Sequence, residues 1–240
     1  MLVARGMVAT RERARALILA GQVSVNGAPA TKAGAAVDET AEILLRVPDH
    51  PWVGRGGLKL DHALRTFGVD VSNKVTLDIG ASTGGFTDVM LARGASRVVA
   101  LDVGEGQLDW KLRSDPRVRC VEGVNARYLT PEMLPPDLRQ FDLVTVDVSF
   151  ISLRHILPVI PALLTATGQV IVLVKPQFEA GRHEVGAGGI VRDEGVQTRV
   201  VEAVADQALQ VGLTRRAMEP SPVTGAEGNR EFLMLLVRAG

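Results

Sequence analysis

Residues Leu77–Leu91 read "LDIGASTGGFTDVML": an apolar run ends at Asp78 and Gly80, glycines follow at 84 and 85, and a second apolar run starts at Phe86. That is the pattern of a strand, a tight turn and a helix, with glycines where a ligand must approach the backbone closely. The turn is not G-x-G-x-x-G, and it lacks the Lys-Ser/Thr of a P-loop, so dinucleotide and nucleoside-triphosphate readings both lose ground. Asp102 ends the next strand-like run, 22 residues after Gly80. A carboxylate there can accept hydrogen bonds from both hydroxyls of an adenosine ribose. With Asp78 under the turn, the pattern favours S-adenosylmethionine over a dinucleotide. Its amino-acid tail would lie against Gly80, Ala81, Ser82, Thr83, Gly84, Gly85 and Phe86.

Outward from this stretch, strand-like runs recur at "KVTLDIG", "RVVALDVG", "RVRCVEG", "FDLVTVDVSF" and "QVIVLVKP", alternating with helix-like patterns; a β-rich tail ends in "EFLMLLV". Near-continuous apolar strands are covered on both faces, which predicts an α/β, doubly wound sheet with ligands at the strands' carboxyl ends. Asp147 and Lys175 end two of these strands, and Glu231 begins the last. Lys175 follows Val170 to Val174 without a break, and a charge so placed needs a partner. Lys59 lies in "GGLKLDHALRTF", a helix whose core face is Leu60, Leu64 and Phe67.

The chain has 240 residues, enough for one large domain and one small one. With 46% hydrophobic and 22% charged residues it has the composition of an ordinary globular protein. Basic and acidic residues balance at 27 each, so a nucleic-acid signal must be local. Cys120 is the single cysteine and reads as an inert buried thiol in a reducing cytoplasm. Arginines where a signal peptide needs an apolar core, and no apolar run near the ~18 residues of a membrane span, predict a soluble protein.

Residues 1–47 read as a small α+β unit: a helix over Thr10–Ala20, a strand, the turn dipeptide Asn26-Gly27 and a further strand in "AEILLRV". Within residues 1–37, Arg5, Arg11, Arg13, Arg15 and Lys32 face Glu12 alone, a local charge of +4. Such a cluster suits RNA phosphates, or is a solvated helix face. On "ATRERARALILAGQVSVNG" the unit resembles the S-four RNA-binding module. Pro48 to Gly57 has a linker's composition, leaving 58–240 as the large domain, with Trp52 as a pin between domains.

Taken together, "GRGGLKL", "LDIGASTGGFTDVML", "ALDVGEGQLDWKLR", "VDVSFISL", "LVKPQFE", "VGAGGIVRD" and "GNREF" resemble the TlyA-type ribosomal RNA methyltransferases, also labelled the haemolysin A family. The resemblance implies a Rossmann-like, FtsJ-like methyltransferase domain behind the RNA-binding domain. It implies ribose 2′-O-methylation of ribosomal RNA at cytidine, with ribosomal RNA or assembled subunits as partner; neither a membrane nor a metal is expected. The family's Lys-Asp-Lys-Glu tetrad falls on Lys59, Asp147, Lys175 and Glu231. The task of such a set is to align a ribose hydroxyl and remove its proton, and whether Lys175 is the base or an orienting group stays open. Two rivals are a membrane-acting haemolysin and a non-catalytic RNA-binding protein on the same fold. Phe150 reads as core rather than base-stacking, and His183 is given no role.

Overall fold

Asn26 and Gly27 both take positive φ, 49° and 79°, which closes a hairpin between β1 (Val23–Val25) and β2 (Ala28–Pro29). β3 (Ile43–Leu45) pairs antiparallel on the other side of β1, and helix α1 (Arg11–Leu19) precedes the sheet. Leu2, Val8, Leu17, Val23 and Ile43 form its small core. The structure is a computed structural model that describes residues 1–8, 10–19, 21–45, 50–225 and 227–239, with the backbone alone described at Glu12, Arg13 and Ala16. It divides into two units, Met1–Pro51 and Trp52–Gly240.

The larger unit begins with Trp52 and Val53 packed on its own core, followed by α2 (Gly56–Phe67). The expected linker 48–57 is therefore only partly one: Pro48 lies outside the described residues, while 52–57 belong to the fold. The glycines here serve contact. A Cβ on Gly57 would fall 2.4 Å from the Trp52 ring, and one on Gly85 2.8 Å from the Gly57 nitrogen. This lets α2 lie against α3 (Gly85–Ala92).

The rest alternates β4 (Val75–Ile79), α3, β5 (Arg97–Leu101), the short α4 (Trp110–Arg113), β6 (Val118–Val121), β7 (Phe141–Val146), β8 (Leu164–Val174) and α5 (Pro176–Glu179). It closes with α6 (Glu194–Gln210), β9 (Leu213–Pro220) and β10 (Phe232–Arg238). The sheet order is β6-β5-β4-β7-β8-β10-β9; β4 to β8 pair in parallel, and β10 runs antiparallel between β8 and β9. Helical crossovers are not regular throughout. The connections into β7 and β8 carry 3-10 turns, because Pro131, Pro135, Pro136, Pro158 and Pro161 remove the amides an α-helix needs.

Both faces of the sheet are buried. Leu77, Val99, Val144, Val172 and Met234 pack with Val200 and Val204 of α6, while Val98, Ile171 and Leu233 pack with Leu60, Leu64 and Met90 of α2 and α3. Each fully buried leucine or valine contributes roughly 1.5–3 kcal/mol to this core. The carboxyl ends of β4, β5, β7 and β8 thus share one edge, and the amino end of antiparallel β10 joins them.

Candidate active site

The turn after β4 wraps over the strand ends. Gly80 has φ 86°, and a Cβ there would lie 2.3 Å from the Asp147 carbonyl oxygen, so a side chain at this position would push β4 from β7. Asp102 holds the turn from the side: its Oδ2 accepts from the Ser82 amide (2.7 Å) and its Oδ1 from the Gly104 amide (2.8 Å). Gln107 is within 3.2 Å of the Ser82 hydroxyl. A cavity of about 950 Å³ opens here, with Gly80, Ser82, Asp102, Val103, Asn125 and Asp147 in its wall.

Asp78 lies beneath the cavity rather than in its wall. Its side chain is fully buried, with Thr87 Oγ1 2.7 Å from Oδ2 and Thr145 Oγ1 3.0 Å from Oδ1. Burial pushes its pKa up to about 7, against the pull of both hydroxyls; the Asp147 charge adds to the rise. Thr145 Oγ1 is also 3.3 Å from the Leu77 carbonyl. The protonated acid can therefore donate to Thr145, which donates onward to Leu77, so the Thr87, Thr145 and Asp78 side chains are all paired. Ala81, Gly84, Gly85 and Phe86 are buried under the turn, whereas Ser82 and Thr83 are exposed on it.

Beside the cavity, whose wall includes Asp147, the four tetrad candidates form two ion pairs. Lys175 Nζ meets Asp147 Oδ1 at 2.6 Å and Ser149 Oγ at 3.0 Å; Lys59 Nζ meets Glu231 Oε2 at 2.5 Å. All but Asp147 are nearly sealed from solvent. Removing one partner of such a pair leaves a buried charge and costs about 3–5 kcal/mol. Two features make the pairs neighbours. The register Phe232↔Val174 sets Glu231 beside Lys175, and Asp147 Oδ2 faces Gly56 in the first turn of the helix that carries Lys59.

Phe150, expected in the core, is 91% exposed and has φ 65°. Its ring contacts Phe178 of α5 at 5.3 Å, and Phe178 lies 6.0 Å from Lys175 Nζ. Ser149, Phe178, Glu179 and Gln107 were missed from sequence. The first three follow Asp147 or Lys175 within four residues, which is the signal that could have found them.

In the N-terminal unit Arg11, Arg15 and Lys32 line one groove of about 1380 Å³. The Arg5 guanidinium donates to the carbonyls of Ala41 (2.8 Å) and Glu39, so it also ties the chain start to the loop before β3. The Arg13 side chain lies outside the described residues. Among the described residues no His/Cys/Asp/Glu group could hold a metal ion.

The FtsJ-like methyltransferase family matches residues 52–238, and the S4 domain, the S-four module, matches residues 1–43. The chain is 46% identical to the 16S/23S rRNA (cytidine-2'-O)-methyltransferase TlyA of Mycobacterium tuberculosis, over 98% of this chain and 87% of that protein. It is 41% identical to Hemolysin A of Brachyspira hyodysenteriae, over 95% of this chain and 94% of that one. A solved Streptococcus thermophilus structure, described as a candidate hemolysin, superposes with TM-score 0.81 at 44% identity, covering 99% of this chain and 86% of its own.

Proposed function

This chain belongs to the FtsJ-like methyltransferase family and carries an S4 domain, and on that footing we propose that it methylates a cytidine ribose 2′-hydroxyl in ribosomal RNA with S-adenosylmethionine. The observation that carries the reading is the pair of buried lysine–carboxylate contacts beside the cavity under the glycine turn.

The residues fit the cofactor. A cavity of about 950 Å³ exceeds what one such molecule needs, and Asp102 presents a carboxylate in its wall. When bound, the cofactor supplies an activated methyl on a cationic sulfur. The chain's own residues do the remaining work. Asp102 anchors the ribose hydroxyls of the cofactor, and the turn from Gly80 to Gly85 cradles its tail. Asp147 and Ser149 hold Lys175 in one position, where its amine orients the attacking oxygen or, once uncharged, accepts the proton. Lys59, held by Glu231, aids the alignment. A poor nucleophile meets an activated electrophile here, so positioning supplies most of the rate. Phe150 offers its ring face to the target base beside Lys175, as single-stranded RNA recognition uses exposed aromatics.

The groove with Arg11, Arg15 and Lys32 serves phosphate contact, which sets register on folded RNA rather than reading sequence. No helix among the described residues is long and apolar enough to cross a membrane. Ribosomal subunits incubated with the protein and S-adenosylmethionine, then mapped by mass spectrometry, should gain a 2′-O-methyl cytidine. Subunits that gain no ribose methylation would overturn the proposal.

A further inference from the structure

The loop that follows β7 is tied down at both ends. Lys175 holds its start through Asp147 and Ser149. Glu179, the last residue of α5, holds its far end: one carboxylate oxygen accepts from the Ser152 hydroxyl (2.6 Å) and the other from the Leu153 amide (2.7 Å). Between these ties stands Phe150 in the left-handed region, a conformation costing about 1–3 kcal/mol that lasts only where neighbours fix it. The residue is 91% exposed, and its ring packs only against Phe178 among the ring contacts of the described residues, so its own packing does little to hold it.

The Glu179 side chain meets the site through this loop. Gln177, Phe178 and Ala180 line the cavity, while the Glu179 side chain turns away from it to Ser152 and Leu153. The carboxyl is partly withdrawn from water, and burial raises its pKa against the opposing pull of Ser152, Leu153 and Arg154. A carboxylate in that setting is disfavoured unless its hydrogen bonds are kept, so the loop and α5 are held together as one piece.

We propose that Glu179 is a positioning residue: by fixing Ser152 and Leu153 it sets the 147–153 loop so that Asp147 and Ser149 meet Lys175 and Phe150 stays turned outward. The inference rests on reading Asp147 and Lys175 as the methyl-transfer site. A plain structural role is the alternative, because Leu153 opens the 3-10 turn Leu153–His155 and Glu179 satisfies its first amide.

The test compares full-length wild type with Glu179→Ala and Glu179→Gln by four readouts: hydrogen exchange in residues 148–153, Tm, S-adenosylmethionine affinity, and kcat and KM on ribosomal subunits. Glu179→Ala should speed exchange in that segment at least about tenfold and lower kcat about 10–100-fold, with cofactor affinity and KM within about threefold. Glu179→Gln, whose amide oxygen still accepts from Leu153, should keep the protection and recover most of kcat. Wild-type kcat in both variants would overturn the proposal, as would lost kcat with unchanged exchange at 148–153, or faster exchange spread over the whole domain with a lowered Tm. If wild type itself methylates no RNA, the reading of function fails, while the exchange comparison still decides whether Glu179 holds the loop.

Discussion

On the β4–β5 side of the cavity the carboxylates are satisfied by amides and hydroxyls: Asp102 by Ser82 and Gly104, Asp78 by Thr87 and Thr145. On the β7–β8–β10 side they meet lysines: Asp147 with Lys175, Glu231 with Lys59. Asp102, the one of these two carboxylates in the cavity wall, has no ion pair among the described residues, which suits a cationic ligand, while Asp78 lies beneath the cavity with its pKa raised to about 7. The second side cancels its charges pairwise, so its ammonium groups are fixed in direction without repelling one another. On the proposed reading, one side holds the cofactor and the other aims the reactive group.

The contrast breaks most sharply at Lys175. Lys175→Ala should lower kcat by about 10²–10⁴-fold while leaving S-adenosylmethionine affinity, measured by calorimetry, nearly unchanged; equal loss of both would merge the two sides. Glu231→Ala should destabilise the fold by about 3–5 kcal/mol in denaturant titrations, since Lys59 would be left buried and unpaired. Lys59→Met in the same background should restore part of that loss. Asp102→Ala should weaken cofactor binding about 10–100-fold, the loss of one or two charge-assisted bonds, and at saturating cofactor should retain most of kcat.

At Asp78 the expected effect is on stability alone and is spread over pH. Its carboxyl ionises near 3.8 in the unfolded chain and is pushed up to about 7 in the fold. Between these values the unfolded state binds fewer protons, so stability falls as pH rises through roughly 4 to 7 and levels above that window. Asp78→Asn should remove that component, and Tm measured from pH 4 to 8 should slope less steeply than in wild type. An identical slope in both proteins would mean that Asp78 is ionised throughout.

The strand runs and the glycine turn were legible because period and punctuation report local geometry. Asp102, Asp147, Lys175 and Glu231 were legible because strand ends in a doubly wound sheet share one edge. What composition hid was tertiary. Gly54 to Gly57 looks like a linker, yet glycine serves close packing as well as flexibility, and only the neighbouring Trp52 and Gly85 reveal which. Phe150 looks like core because an aromatic after an apolar strand is normally buried; its positive φ, invisible in sequence, turns it out. β9, "LTRRAMEP", was not read as a distinct strand because it is a half-exposed edge with two arginines at its centre. Glu179 escaped because its partners lie 26 and 27 residues away in a loop of no regular pattern.

The last strand enters the sheet between two strands made before it, and this has a consequence for synthesis. Lys59 leaves the ribosome 172 residues ahead of Glu231, the partner that neutralises it. At roughly 5–20 residues per second the nascent chain carries that lysine unmatched for about 10–35 seconds. β8 and β9 meanwhile wait with open edges. On the proposed reading, methyl transfer must wait for the last strand to arrive, so a half-made chain does not modify the ribosome that is still making it.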